Sequence, residues 1–62
     1  MNKEEMIATF KNMFPQMWRE EYADKVNYVR PGIIIIYVGK RVTDRAFTFV
    51  FRNDGTWSLL FS

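Results

Sequence analysis

The sequence predicts an α+β domain, with an N-terminal helix, broken or kinked at Pro15, packed on one face of a three- or four-stranded antiparallel β meander. Three observations carry this expectation. Apolar residues recur at helical spacing up to Trp18 and at a spacing of two from Ile33 onward. The switch occurs once, without repeats or linkers, so residues 1–62 read as a single domain. The strand-like runs are joined by connections too short for crossovers, which makes neighbouring strands antiparallel.

The helix begins at a capping signal. Asn2 is a favoured N-cap residue and Glu5 stands three positions later, an Asn variant of the capping box. Glu4 and Glu5 also place negative charge at the positive end of the helix. Met6, Phe10, Met13 and Met17 form one stripe, widened by Ile7, Phe14 and Trp18, while Lys3, Lys11, Asn12 and Arg19 fall on the other side. Pro15 lacks the donor for the Lys11 carbonyl and drives Phe14 out of helical dihedrals. The residues allow two outcomes: a break at Met13–Phe14 with a second short helix from Pro15 to about Asp24, or one kinked helix.

Beyond Asp24 the period is two. Lys25–Arg30 reads as an optional fourth strand. Pro31-Gly32 suits the central positions of a type II turn. Ile33–Val38 is β-branched and aromatic and reads as a strand. Gly39–Asp44 is a polar connection. Arg45–Phe51 alternates, with Phe47, Phe49 and Phe51 on one face and Ala46, Thr48 and Val50 on the other. Asn53-Asp54-Gly55 signals a hairpin, and Thr56–Phe61 alternates again, with Trp57, Leu59 and Phe61 on one face.

Composition narrows the chemistry. The chain contains neither Cys nor His, so disulfides, thiol chemistry, zinc–thiolate sites and imidazole acid–base catalysis are excluded. The three glycines are isolated at turns, so no phosphate-binding or dinucleotide fingerprint is present. The expectation is a non-enzymatic protein without cofactor or metal. Residues 1–5 do not resemble a secretory signal, and the run Ile33–Val38 is far short of the roughly 20 residues that span a bilayer. These features predict a soluble, cytoplasmic protein with no membrane partner. A compact chain with its own initiating Met resembles the small accessory proteins of phages and mobile elements.

Four groups of residues are candidates for function. The first is the sheet face that a single helical layer leaves uncovered. Ile33–Val38 is apolar on both sides, so one parity must point away from the helix. Ile34, Ile36 and Val38, joined by Val50 and Leu60, are the candidate partner-binding set, serving a protein partner or a second copy of the chain. Ile33, Ile35 and Tyr37 are the other parity. The competing reading folds the second helical piece or residues 25–31 over that face. The second group is basic: Lys40, Arg41, Arg45 and Arg52, with Tyr37 nearby, a set that suits single-stranded nucleic acid through phosphate contacts and stacking. The competing reading is that charges at strand ends discourage edge-to-edge association. Net charge is +2, and the excess lies in residues 25–62, which hold six basic and two acidic side chains against three and five in residues 1–24.

The third group is Arg45–Phe51, which resembles the RNP1 strand of RNA-recognition motifs: a basic residue followed by alternating aromatics. That likeness implies Phe47, Phe49 and Phe51 stacking on bases from an exposed face. The sequence departs from the pattern at Ala46, Thr48 and Arg52, and the competing assignment places all three rings in the core. The fourth group, Glu20, Glu21 and Asp24, reads as a solvated acidic face rather than a metal or acid–base pair. The reading preferred on sequence is a small inhibitor- or adaptor-type module that binds protein through an apolar sheet face and can self-associate. A nucleic-acid-binding protein is the alternative.

Overall fold

A computed structural model describes residues 1–39 and 45–61. Helix α1 spans Lys3–Met13, a 3₁₀ helix spans Glu20–Lys25, and four strands follow: β1 (Val26–Arg30), β2 (Ile33–Tyr37), β3 (Ala46–Phe51) and β4 (Trp57–Phe61). The strands form one antiparallel sheet in the order β1-β2-β3-β4. The optional strand at 25–30 is thus present, and the meander has four strands. Of the connection expected at Gly39–Asp44, residues Lys40–Asp44 lie outside the described residues, as does Ser62.

The capping box forms as the sequence predicts. The Glu5 N–H donates to Asn2 Oδ1 at 2.8 Å and the Asn2 N–H donates to Glu5 Oε1 at 3.1 Å. Phe14 closes the helix with φ −130° and ψ 61°, and its N–H donates to the Phe10 carbonyl. Extended or turn dihedrals are what a residue preceding proline favours. The chain breaks here rather than kinking. The second helix differs from expectation: Pro15–Met17 is a turn, Arg19 is extended, and helix resumes only at Glu20, in 3₁₀ form. Trp18 and Tyr22, spaced as on an α-helix, still meet edge-to-face at 5.9 Å, brought together by the turn.

The core lies between α1 and one face of the sheet. Met6 and Phe10 of α1 and Ile34, Ile36 and Phe49 of the two central strands are fully buried, with Tyr22 and Val26 closing the edge. Register explains the set. Ile34 pairs with Phe49 and Tyr28, Ile36 pairs with Phe47 and Val26, and Phe49 pairs with Leu59, so these residues share one face. Phe10 is the hub, with ring contacts to Phe14, Trp18, Phe47 and Phe49 at 5.3–6.5 Å. Each such side chain contributes on the order of 1.5–3 kcal/mol by leaving water.

Two glycines make the hairpins. Gly32 has φ +94° and Gly55 φ +88°. At Gly32 the turn is also tight: a Cβ there would stand 2.8 Å from the Phe51 carbonyl oxygen, while Phe51 N–H donates to the Gly32 carbonyl. At Gly55 a Cβ would meet open space. Both Ala substitutions therefore incur the left-handed backbone cost, on the order of 1 kcal/mol. Gly32→Ala also requires the turn or the Phe51 carbonyl to shift, since both atoms in the close contact belong to or are fixed by backbone. In urea denaturation Gly32→Ala should destabilise more than Gly55→Ala, by at least about 1 kcal/mol.

Candidate functional site

Burial under α1 decides the parity of β2. Ile34 and Ile36 are 0% exposed and the half-buried Val38 packs against the core, so these three lie on the helical side of the sheet. This corrects the expected partner-binding set, of which only Val50 and Leu60 lie on the uncovered side. The physical reason is register: Ile34 and Ile36 pair with Phe49 and Phe47, the large side chains that α1 covers. The open face is instead built from Ile33, Ile35 and Tyr37 of β2, Thr48 and Val50 of β3 and Ser58 and Leu60 of β4. Across it, Ile33 sits opposite Val50 and Val50 opposite Ser58; Ile35 sits opposite Thr48 and Thr48 opposite Leu60. Among the described residues neither helix lies over this face; Leu60 is 61% exposed, and Ile33, Ile35, Tyr37 and Val50 are half-buried.

The end of this face at the two hairpin turns is basic. Arg30 is registered opposite Ile33, and Arg52 follows Val50 on the same side. Arg52 donates from Nη2 to Ser58 Oγ at 2.7 Å and from Nη1 to Thr56 Oγ1 at 3.4 Å, which lays its guanidinium along β4. Neither arginine forms an ion pair with a described residue; the ion pair among these residues joins Lys11 and Glu20 on the helical side. A shallow cleft of about 380 Å³ opens here, lined by Arg30, Ile33, Val50 and Arg52 with the backbone of the turns. No strand residue registered on this face is acidic. Asp54, exposed in the turn between β3 and β4, accepts from the Thr56 N–H at 3.0 Å and the Thr56 hydroxyl at 2.7 Å. These donors, with Arg52 adding a smaller attraction, hold its carboxyl below the usual range.

The remaining candidates fall elsewhere. Phe47, Phe49 and Phe51 point into the core side of the sheet, so the face on which the RNP1-like reading needs exposed rings is the face α1 covers. Arg45 is exposed but registered against Val38, on the helical side, beside a cleft of about 390 Å³ lined also by Phe47 and Phe61. Tyr37 lies on the open face, at the end opposite Arg52. Lys40 and Arg41 lie outside the described residues. Glu20 is engaged locally, accepting from Trp18 Nε1 at 3.3 Å and standing 3.9 Å from Lys11 Nζ. Among the described residues no group of three acidic side chains converges as a metal site, and no helix is long and apolar enough to cross a membrane. No protein-family model matches this chain, and no curated protein or solved structure matches it either.

Two outcomes follow from this geometry. Replacing Ile33 and Ile35 together by Thr should leave stability within about 1 kcal/mol, because neither side chain contacts the helix. Replacing Ile34 and Ile36 by Thr should cost about 2–5 kcal/mol, since it opens space beneath Phe10 and buries two hydroxyls. Thermal unfolding of the two double variants checks the parity directly. For Asp54, the folded-state pKa is depressed, so its stabilising contribution is present above the unfolded value near 3.9 and is lost as pH falls through the folded value. Carboxyl-carbon NMR titration should give a midpoint below that of an unfolded peptide, and Thr56→Val should move it upward.

Proposed function

We propose that this chain is a non-enzymatic, protein-binding module whose contact surface is the open face of the sheet. The observation that carries the reading is the composition of that face. An antiparallel sheet with one wet side ordinarily alternates apolar inward and polar outward. Here the outward positions of β2 are Ile33, Ile35 and Tyr37, continued by Val50 and Leu60. Contiguous apolar surface rimmed by polar groups is the usual mark of an interface. The rim supplies polarity of one sign: Arg30 and Arg52 border the apolar rows at the turn end, without carboxylate partners among the described residues. A complementary surface is therefore apolar at its centre and acidic at one end, which favours a partner protein segment of that character. Two copies of the face laid on each other supply no carboxylate for the arginines.

Nucleic acid is the less well supported partner. The rings that would stack on bases are under the helix, and Tyr37 and Arg52 stand at opposite ends of the face. Selection of a random peptide library on the immobilised chain tests the proposal. Wild type should enrich peptides with alternating apolar residues and an acidic terminus, and Ile35→Lys should lose that enrichment by at least about tenfold. Fluorescence anisotropy of labelled single- and double-stranded oligonucleotides is the companion measurement. Enrichment indifferent to Ile35→Lys, or tight oligonucleotide binding that falls steeply with salt, overturns the reading.

A further inference from the structure

The two edges of the sheet are unequal. β1 is interrupted by a register shift between Tyr28 and Arg30, its exposed residues include Asn27 and Arg30, and the Tyr28 hydroxyl is tied to the Met1 carbonyl at 2.6 Å. Bulges and charges of this kind blunt an edge. β4 has none of them. Its five residues, Trp57-Ser58-Leu59-Leu60-Phe61, are uncharged, and their pairing with β3 is regular throughout. Trp57, Leu60 and Phe61 are 46%, 61% and 65% exposed.

The ladder fixes which backbone groups of β4 are free. Phe51 N–H donates to the Gly32 carbonyl and Val38 N–H to the Arg45 carbonyl, so Phe47, Phe49 and Phe51 spend their main-chain groups on β2. Thr48 and Val50 therefore face β4, and Arg52 N–H donates to the Thr56 carbonyl in the same phase. Their partners are Leu60 and Ser58. The N–H and C=O groups of Trp57, Leu59 and Phe61 consequently point outward from the sheet.

We infer that this edge pairs with the β4 edge of a second copy of the chain, antiparallel, about a twofold axis at Leu59. The occupant is specified by self-complementarity. The outward-facing positions are 57, 59 and 61, which are symmetric about 59. One register therefore satisfies all of them at once: Leu59 with Leu59 of the copy, and Trp57 with its Phe61 in both directions. That register sets the two most exposed rings of the helical side against each other, a favourable cross-strand pair. The strand is neutral, so no like charges meet. The axis is perpendicular to the sheet, so both helical layers lie on one side and both open faces join on the other, in one eight-stranded sheet. Since β1 is blunted, growth stops at two copies.

Sedimentation equilibrium of the full chain over a wide concentration range, combined with hydrogen exchange followed by NMR, tests the inference. The expected result is a monomer–dimer equilibrium in which the amides of Trp57, Leu59 and Phe61 gain protection as concentration rises. Those of Ser58 and Leu60 are protected throughout. Phe61→Pro removes one outward donor and no bond to β3, and should weaken dimerisation at least about tenfold, while Ile35→Lys should leave it unchanged. A chain monomeric at all concentrations overturns the inference. So does a dimer that leaves those three amides unprotected and is lost in Ile35→Lys, since that is stacking of open faces. If Phe61→Pro fails to fold, the concentration dependence of exchange in the wild-type chain still decides. Success or failure here is read without any peptide ligand and is separate from the peptide-selection outcome.

Discussion

The seating of Phe10 and Met6 on Ile34, Ile36 and Phe49 is the contact on which the rest of the molecule depends. β2 is apolar on both sides and has no intrinsic preference for which side is covered. β3 has a strong one: Phe47, Phe49 and Phe51 present far more apolar area than Ala46, Thr48 and Val50, so the helix takes the Phe face. Pairing of Ile34 with Phe49 then carries that choice across to β2. A slip of one residue would exchange every side chain between faces. The identity of the outer surface is thus fixed from within, by the largest side chains of a neighbouring strand.

Rings do in this chain what cross-links do in many small domains. A domain of this length buries a limited share of its surface and ordinarily draws on a disulfide or metal, yet the sequence has no Cys or His. Instead Phe10 links α1 to β3 through Phe47 and Phe49, Phe14 reaches Phe49 and Trp57, and Trp18 ties Tyr22 to Phe10. Tilted and edge-to-face pairs add about 0.5–1.5 kcal/mol each beyond area burial. The turn at Pro15 allows this by letting Phe14, Met17 and Trp18 spread over the end of the core instead of continuing along one helical stripe.

Local signals in the sequence were legible wherever one residue type answers to one constraint. The Asn2–Glu5 box, the positive φ at Gly32 and Gly55, and the alternation of β3 all stand in the structure as the residues imply, whereas Pro15 left a break and a kink equally open. The strand at Val26–Arg30 was legible only as an option, because Asn27 and Arg30 dilute its pattern. The 3₁₀ form of Glu20–Lys25 was not legible, since Trp18 and Tyr22 have α-helical spacing and it is the extended Arg19 between them that breaks the helix. The open face was legible as a face but not as a residue list. Four consecutive isoleucines carry no parity, and only the register with β3 supplies it. Arg52 was visible as a basic residue, but its place beside Ser58 follows from counting along β3 and β4 together.

The apolar surface left over has a geometric origin. An 11-residue helix with side chains is about 10–12 Å across, whereas four strands at about 4.8 Å spacing are wider. One helix covers the two central strands and little more, and the 3₁₀ helix extends that cover toward β1 rather than β4, through Tyr22 and Val26. Beyond Leu59 and the Trp57 ring that Phe14 reaches, β4 receives little of that cover, and among the described residues neither helix lies over the opposite face. Geometry explains the exposure but not the residues exposed. Thr or Lys at 35 and 60 would cost the fold little, because neither side chain belongs to the buried cluster. Ile35 and Leu60 occupy them instead, on the face that also carries Arg30 and Arg52, neither of which forms an ion pair with a described residue. An apolar side chain that folding does not require at an outward position is the mark of a contact surface, and this is the physical ground on which the proposed contacts at the open face and at β4 rest.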